Sequence, residues 1–195
     1  IQGESSFAGW PSVFVRATRC PLRCSWCDTT YSYGGGKDMT LDEIIGEVLG
    51  RGVEHVEITG GEPLAQKPSL ELMTRLCDEG KTVLLETSGP LDIGPVDPRV
   101  HVIMDIKCPQ SGMGDRIRWE NIDLLKGKDE IKFVLGSRED YEYARDVIRR
   151  HDLASRCMVL FSTVFDAIDR RVVVEWMLED HIHARFQLQM QKFIW

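Results

Sequence analysis

Short apolar runs with the composition of β-strands alternate with helical segments along this 195-residue chain. The helical segments repeat apolar residues at helical spacing, and one opens with a capping box because Glu43 follows Thr40 by three residues. Apolar strands that alternate with helices pair in parallel through right-handed crossovers. The sequence predicts strands at 12–17, 55–59, 82–87, 100–106, 130–135, 157–162 and 185–190, and helices at 40–50, 69–80, 137–150 and 169–179.

The predicted helices are too few to surround a complete eight-stranded barrel. We therefore expect an α/β fold in which residues 1–195 form a single domain, an incomplete barrel of the TIM type with few crossover helices. In such folds the chemistry lies at the carboxyl ends of the strands. Distinctive stretches follow four of the predicted strands, namely a cysteine-rich loop after 12–17, TGGEP at 59–63, TSG at 87–89 and DIKCP at 105–109.

The composition excludes several classes of protein. The formal net charge of −7, from 24 basic and 31 acidic residues, argues against a surface that binds duplex nucleic acid. No apolar run approaches the roughly 20 residues that a membrane-spanning helix needs, and no segment resembles a cleaved secretory signal. The six cysteines are too unevenly spaced for a secreted disulfide framework, so we expect reduced thiols in a cytoplasmic protein.

Cys20, Cys24 and Cys27 form the strongest chemical motif in the chain. Three thiolates are one ligand short of a closed tetrahedral zinc site, which a distant histidine would have to complete. The pair Cys24 and Cys27 would also suit a redox site, although such a site does not require Cys20. The third alternative is an iron–sulfur cluster held by three cysteines, whose fourth iron is open to a non-protein ligand. Cys77 and Cys157 lie in apolar patterns and are expected to be small core residues.

The segment CPLRCSWC at 20–27 resembles the C-x3-C-x2-C signature of the radical S-adenosylmethionine superfamily. The resemblance implies a 4Fe-4S cluster on Cys20, Cys24 and Cys27, with S-adenosylmethionine chelating the open iron through its amino and carboxylate groups. Trp26 matches an aromatic residue that packs near the adenine. TGGEP at 59–63 resembles the motif that receives the amino group of the same cosubstrate, and this implies a contact from Gly61.

The chain as a whole resembles the 7-carboxy-7-deazaguanine synthase family, which serves queuosine and deazapurine biosynthesis. The resemblance implies a radical ring contraction of 6-carboxy-5,6,7,8-tetrahydropterin to 7-carboxy-7-deazaguanine, with release of ammonia and catalytic use of S-adenosylmethionine. It also implies Mg²⁺, an electron donor such as flavodoxin, and a homodimer. The matching stretches are IQGES at 1–5, FVRATRCPLRCSWCDT at 14–29, EITGGEP at 57–63, ETSG at 86–89, DIKCP at 105–109 and QLQMQK at 187–192.

The resemblance also implies roles for individual residues. Arg16 matches a carboxylate-binding arginine, for which a planar two-point fork is suited, and Thr29 matches a ligand of the magnesium ion. The implied substrate contacts are Ile1, Gln2, Gly3, Glu4, Arg16, Thr59 and Gln191. The implied contacts to S-adenosylmethionine are Trp26, Cys27, Asp28, Gly61, Asp105, Ile106, Lys107 and, by a looser alignment, Phe161, Ser162, Thr163 and Val164.

Some features depart from the family pattern. Gln191 stands where the family often has a histidine, and the family usually continues past Trp195 to a proline near the substrate. The chain begins at Ile1 within a motif, so we expect a short strand to precede it. Two alternatives stay open, a glycyl-radical activase and a zinc-stabilised binding module. The wide spacing of the remaining three cysteines argues against additional ferredoxin-type clusters.

Overall fold

The computed structural model describes residues 1–195, and its elements follow the predicted alternation of strands and helices. The strands are β1 Ser12–Ala17, β2 His55–Gly60, β3 Thr82–Thr87, β4 His101–Asp105, β5 Glu130–Leu135, β6 Met158–Thr163 and β7 Arg185–Phe186. The α-helices are α1 Leu41–Gly50, α2 Pro68–Asp78, α3 Arg138–His151, α4 Leu153–Arg156, α5 Arg170–Glu179 and α6 Gln191–Ile194.

All seven strands form one parallel sheet in the order β1 to β7. β1 and β7 do not pair with each other, so the barrel is open, and the predicted incomplete barrel is confirmed. Helices α1 and α2 cross between the first three strands, and helices α3 to α5 cross between the last three. No α-helix connects β3 to β4 or β4 to β5, which is the helix deficit expected from the sequence. None of the helices has the length and apolar character that crossing a bilayer requires.

The helix starts follow from local side-chain chemistry. At α1 the Thr40 hydroxyl accepts a hydrogen bond from the Glu43 N–H at 3.3 Å, while Glu43 accepts one from the Thr40 N–H at 2.7 Å. This is the predicted capping box. At α3 the Ser137 hydroxyl accepts from the Asp140 N–H at 3.2 Å, so the predicted start of that helix is also confirmed.

The sheet has two different faces because successive side chains of a strand point in opposite directions. The outer face packs against the helices in a core of 29 buried residues, which includes Ile58, Leu85 and Phe133. Cys157 is buried in this core and Cys77 packs against it, as expected for small hydrophobic residues. The inner face carries charged residues, among them Glu57 on β2 and Lys132 on β5.

An N-terminal segment, residues 1–10, folds back on itself and covers part of the inner face. The Gln2 N–H donates to the Trp10 carbonyl at 2.9 Å, and the Gly9 N–H donates to the Gln2 carbonyl at 2.8 Å. Toward the amino ends of the strands, the Ser6 hydroxyl and N–H both donate to the Glu130 carboxylate. The part of the segment around Ser6 therefore lies at the end of the barrel opposite the carboxyl ends of the strands.

The last predicted strand is shorter than expected. The sequence predicts a strand at 185–190, but β7 contains only Arg185 and Phe186. The Gln187 N–H still donates to the Phe161 carbonyl of β6 at 2.8 Å, but beyond it the chain bonds to the N-terminal segment. The Gln187 side chain accepts a hydrogen bond from the Ser5 N–H at 2.8 Å, and the Met190 N–H donates to the Gly3 carbonyl at 2.9 Å.

Candidate active site

A cavity of about 760 Å³ lies at the carboxyl ends of the strands, where the fold class places chemistry. Its walls come from the N-terminal segment, the cysteine loop, the inner face of the sheet and the C-terminal segment, residues 187–195. The lining includes these residues of the predicted site: Ile1, Gln2, Gly3, Glu4, Arg16, Cys20, Cys24, Trp26, Cys27, Asp28, Thr29, Thr59, Gly61, Asp105, Lys107, Val164 and Gln191.

Four residues of the predicted site lie outside this lining. Ile106 and Phe161 are fully buried, and Phe161 packs edge-on against Phe133 and Tyr141 in the core. Ser162 and Thr163 are buried as well. In the stretch 161–164, the structure therefore places Val164 alone at the cavity.

The cysteine loop follows β1 and is held by its own backbone. Arg19 adopts a left-handed conformation with φ of 70°, and its N–H donates to the Ser32 carbonyl at 2.7 Å. The Cys27 N–H donates to the Cys24 carbonyl at 3.2 Å. These bonds turn the loop so that all three thiols reach the cavity, where each is partly buried and free of any disulfide.

The three thiols of the cysteine loop have no fourth protein ligand beside them. Burial raises the pKa of both Cys20 and Cys24 above the ordinary value of 9.0. No group of three or more Cys, His, Asp or Glu side chains converges on a position that could hold one metal ion. The isolated histidine pair, His181 and His183, is exposed. The donor set is three thiols without a fourth ligand, which fits a cluster with one iron open to a non-protein ligand.

The TGGEP turn packs directly against the cysteine loop. A Cβ on Gly61 would lie 2.1 Å from the Arg19 carbonyl oxygen, and a Cβ on Gly60 would lie 2.1 Å from that of Ala17. The Gly61 N–H donates to the Ala17 carbonyl and the Glu62 N–H to the Arg19 carbonyl, both at 2.9 Å. The two glycines are therefore needed for backbone contact with the loop, in addition to any contact with a ligand.

Glu62 connects this turn to the end of β3. Its buried carboxyl accepts hydrogen bonds from the Ser88 N–H at 2.9 Å, the Thr87 hydroxyl at 2.8 Å and the Leu64 N–H at 3.1 Å. Burial raises the pKa of Glu62, although the three donors oppose that shift. Through these hydrogen bonds, Glu62 holds the turn after β2 against the end of β3 beside the cavity.

Asp105 ends β4 beside two ammonium groups. Its Oδ2 accepts a hydrogen bond from Lys107 Nζ at 2.8 Å and lies 3.6 Å from Lys132 Nζ. Burial alone would raise the pKa of Asp105, but the two ammonium groups outweigh burial and lower it. Oδ1 is buried without a hydrogen-bond partner, so this carboxylate keeps one acceptor for a ligand.

Lys132 lies on β5 and gathers carboxylates from three other segments. Its Nζ donates to Glu4 Oε2 at 2.8 Å and also contacts Glu86 and Asp105. Its side chain is only 4% exposed. Burial would lower the pKa of Lys132, but the surrounding carboxylates raise it well above its ordinary value. The residue is therefore a buried ammonium group.

Glu4 links both ends of the chain to this ammonium group. Its Oε1 accepts hydrogen bonds from Gln191 Nε2 at 2.9 Å and from Gln189 Nε2 at 3.2 Å. A Cβ on Gly3 would lie 1.8 Å from Gln191 Oε1, so a larger residue there would displace the Gln191 side chain from Glu4. Gln191 stands where the family often has a histidine. Its side chain is hydrogen-bonded to Glu4, which is itself a predicted substrate contact.

Arg16 and Thr59 face each other across β1 and β2, where they are register partners. Arg16 lines the cavity and forms no ion pair within the chain, and its guanidinium lies 5.8 Å from the ring centroid of Tyr31. Thr59 donates to Glu86 Oε2 at 3.1 Å. The cavity therefore presents an unpaired guanidinium close to its mouth, which suits a ligand carboxylate.

Thr29 is the predicted magnesium ligand, and its hydroxyl donates to Asp28 Oδ1 at 2.8 Å. Asp28 also pairs with Lys192 of the C-terminal segment at 3.2 Å. Burial would raise the pKa of Asp28, but Thr29 and Lys192 together lower it. A hydroxyl at the cavity wall next to a carboxylate is an oxygen donor set of the kind that Mg²⁺ prefers.

Three charged residues on the inner face are absent from the sequence-based site, namely Glu57, Glu86 and Lys132. Each interrupts a strand of apolar residues at a position that alternates with core positions. A charge in such a position must face a polar interior or a ligand, because burying it in the core would be costly. A charged residue that interrupts an apolar strand is therefore the sequence signal that could have identified these three residues.

Comparisons with known proteins agree with this geometry. The family model described as the radical SAM superfamily matches residues 14–160. The 7-carboxy-7-deazaguanine synthase of Chlorobaculum tepidum is 46% identical over 100% of this chain and 90% of its own length. The enzymes of the same name from Koribacter versatilis and Methanospirillum hungatei are 46% and 37% identical over 100% of this chain, covering 93% and 81% of their own lengths.

Solved structures share the fold at low sequence identity. Streptococcus suis SuiB bound to the precursor peptide SuiA superimposes with a TM-score of 0.64 at 17% identity, over 91% of this chain and 48% of that one. Archaeal TYW1 superimposes with a TM-score of 0.58 at 16% identity, over 80% of this chain and 68% of that one. From its full-length similarity to the synthases and the match of its central region, this chain belongs to the 7-carboxy-7-deazaguanine synthase family of the radical S-adenosylmethionine superfamily.

Proposed function

We propose that this protein contracts the ring of 6-carboxy-5,6,7,8-tetrahydropterin to 7-carboxy-7-deazaguanine, with release of ammonia and catalytic use of S-adenosylmethionine. The observation that carries the proposal is one cavity that joins three free thiols, an unpaired arginine and a wall of carboxylates. Cys20, Cys24 and Cys27 would hold the cluster. When bound, the cluster and S-adenosylmethionine supply a one-electron cleavage that yields the radical able to take hydrogen from C6 of the pterin.

The protein's own residues orient the substrate and exclude water. Arg16 would bind the substrate carboxylate at two points, because it lines the cavity and forms no ion pair within the chain. Thr29 would hold Mg²⁺ next to that carboxylate, and the remaining magnesium ligands would come from the substrate and water. Glu4 and Gln191, which are hydrogen-bonded to each other, line the cavity. The N-terminal and C-terminal segments thereby separate the reacting atoms from bulk water.

The proposal extends to the setting of the reaction. Six free cysteines support a reducing compartment, the cytoplasm. The cluster requires an external one-electron donor, for which a protein such as flavodoxin is proposed together with a homodimeric enzyme, both from the family resemblance. The relatives' names favour the synthase over both a zinc-stabilised module and a glycyl-radical activase.

An anaerobic assay tests the proposal. The cluster-loaded protein is supplied with the tetrahydropterin deuterated at C6, S-adenosylmethionine, Mg²⁺ and a chemical reductant, and products are measured by mass spectrometry. We expect 7-carboxy-7-deazaguanine, many turnovers per S-adenosylmethionine, and deuterium in the recovered cosubstrate. One 5'-deoxyadenosine and one methionine formed per product, without label in the cosubstrate, would contradict catalytic use. Absence of the deazaguanine product would contradict the proposed reaction itself.

The magnesium assignment has its own test. Thr29→Ala should slow product formation and raise the Mg²⁺ concentration needed for half-maximal rate, while the iron content stays unchanged. Thr30→Ala is the matched control, because Thr30 is exposed and does not line the cavity. An unchanged Mg²⁺ requirement in Thr29→Ala would remove Thr29 from the metal site.

A further inference from the structure

Glu57 is a buried carboxyl group that the proposed reaction leaves without a role. It lies in the middle of β2, is 1% exposed and lines the cavity. Its Oε2 accepts a hydrogen bond from Gln2 Nε2 at 2.7 Å. Its Oε1 is buried and has no hydrogen-bond partner. A buried oxygen without a partner costs stability, and the cost is recovered only when a donor arrives.

The position of Glu57 relates it to the substrate anchors. Glu57 and Thr59 share the inner face of β2, because successive side chains alternate and Ile58 between them belongs to the core. Two residues along a strand span about 6.6 Å, which is comparable to the length of a bicyclic ring. Thr59 is in register with Arg16. A pterin whose carboxylate is held at Arg16 would therefore extend its opposite end toward Glu57.

The residues beside Glu57 could contact the end of the pterin that lies opposite its carboxylate. In register with it on β1 is Phe14, which is 40% exposed and lines the cavity. Its partner on β3 is Leu84, which is apolar. An aromatic face beside a single carboxyl group can stack on a flat heterocycle while the carboxyl accepts from an N–H at its edge.

From this geometry we infer that Glu57 is a specificity-determining residue whose Oε1, ionised in the complex, accepts a hydrogen bond from the exocyclic 2-amino group of the pterin. Burial raises the pKa of Glu57 in the ligand-free protein, so binding of the pterin releases the Glu57 proton to solvent. The inference rests on the proposed function, since it names how the same cavity recognises its substrate. It distinguishes a 2-amino heterocycle from one that carries oxygen at that position. The carboxylate anchor at Arg16 would bind both kinds of ring alike.

The hydrogen bonds around Gln2 allow a sharp test. Gln2 Oε1 already accepts from the Glu4 N–H at 3.2 Å, so its Nε2 is the group that faces residue 57. In Glu57→Gln the new side chain must turn its carbonyl oxygen toward Gln2. Its NH₂ group then faces the ligand, so the site should disfavour an amino group and favour an oxygen.

The experiment compares two ligands by anaerobic calorimetry on the cluster-loaded enzyme with S-adenosylmethionine and Mg²⁺ but no reductant. One is the tetrahydropterin, and the other is its tetrahydrolumazine counterpart, in which oxygen replaces the 2-amino group. We expect the wild type to prefer the pterin by at least about tenfold, which corresponds to one buried hydrogen bond. Glu57→Gln should invert that preference, and Glu57→Met should reduce it to within about threefold.

Controls separate recognition from damage. A purely structural role of Glu57 would lower both affinities together and leave their ratio unchanged, which would overturn the inference. Glu47→Met removes an exposed glutamate of α1 and should leave the ratio as in the wild type. A wild type that forms the deazaguanine product but does not distinguish the two rings would overturn the role of Glu57 alone. Failure to bind either ring would overturn the proposed function as well.

Discussion

Lys132 determines how charges coexist in the interior of the barrel. It is the ammonium group shared by Glu4, Glu86 and Asp105, which come from the N-terminal segment, β3 and β4. Without it, these carboxylates would lie around the cavity with Lys107 as the remaining nearby ammonium group, paired to Asp105. Carboxylates left together in a poorly hydrated space repel one another.

Lys132→Met should therefore destabilise the folded protein by about 3–5 kcal/mol, the usual cost of removing one partner from a buried ion pair. Urea denaturation of the metal-free protein measures this change in the free energy of unfolding. Lys126→Met is the control, because Lys126 is exposed and its side chain makes no ion pair, so its effect should stay within about 0.5 kcal/mol. Similar values for the two variants would contradict a central role of Lys132.

Arg16 offers a second test by conservative substitution. Arg16→Lys keeps the positive charge but loses the planar fork, so a carboxylate can no longer be bound at two points. We expect the dissociation constant of the tetrahydropterin to rise about tenfold, and that of S-adenosylmethionine to stay within about twofold. An equal loss of affinity for both ligands would indicate that Arg16 supports the structure of the cavity instead of binding substrate.

Single residues also show where sequence-based prediction succeeds. The spacing of Cys20, Cys24 and Cys27 predicts their convergence on one cavity, because a short loop cannot separate them. Lys132 and Glu57 were not predicted as site residues, since their partners lie 128 and 55 positions away in the chain. Hydrogen bonds over such separations depend on the packing of the whole barrel, so the interrupted apolar pattern of each strand marks the charge but not its partner.

Among the secondary-structure elements, β1, β3 and β5 coincide with their predicted limits. Their apolar composition, and the turns that bound them, are local properties. The prediction for β7 was wrong beyond Phe186. The residues that follow alternate in polarity as a strand would, but they are buried by contact with the N-terminal segment. The sequence pattern indicated that these residues are partly buried, but it did not indicate which neighbour buries them.

The turn after β2 and the cysteine loop behave as one packed unit, which Gly61→Ala would disturb. The new Cβ would lie 2.1 Å from the Arg19 carbonyl oxygen, so backbone must shift. We expect a loss of about 1–3 kcal/mol in the free energy of unfolding, together with a lower iron content after reconstitution. Gly46→Ala in α1 meets open space and should instead stabilise by about 0.5–1 kcal/mol. A neutral Gly61→Ala would contradict the close packing.

The charged interior makes the stability of the whole molecule sensitive to acid. Burial would raise the pKa of Glu86, Asp105 and Glu130. Lys132 lowers the pKa of Glu86, Lys107 and Lys132 together lower that of Asp105, and His101 with Ser6 lowers that of Glu130. The folded state therefore resists protonation that the unfolded chain accepts. Its stability is present above the ordinary values of 3.8 and 4.5 and is lost as the pH falls through the lower folded values.

Urea midpoints measured from pH 6 to pH 3 should fall steeply below about pH 4.5. Burial raises the pKa of Glu57 and Glu62, so these two groups act in the opposite direction and lose their contribution as the pH rises above 4.5. In the Glu57→Gln variant, the urea midpoint should therefore still fall below about pH 4.5. A midpoint that stays level down to pH 3 would contradict the lowered values.

The contact between Gly3 and Met190 has a consequence for the order of folding. It closes a loop of almost the whole chain, and the entropy lost in closing a loop grows with its length. The consecutive strands can pair through much shorter loops, so the sheet should assemble first and the two chain ends should meet last. Because openings with little free-energy cost occur where few contacts hold a segment, the ends should also separate first on mild heating. Ligand binding would then disappear while the parallel sheet is still intact, and ligands would slow hydrogen exchange most at the chain ends.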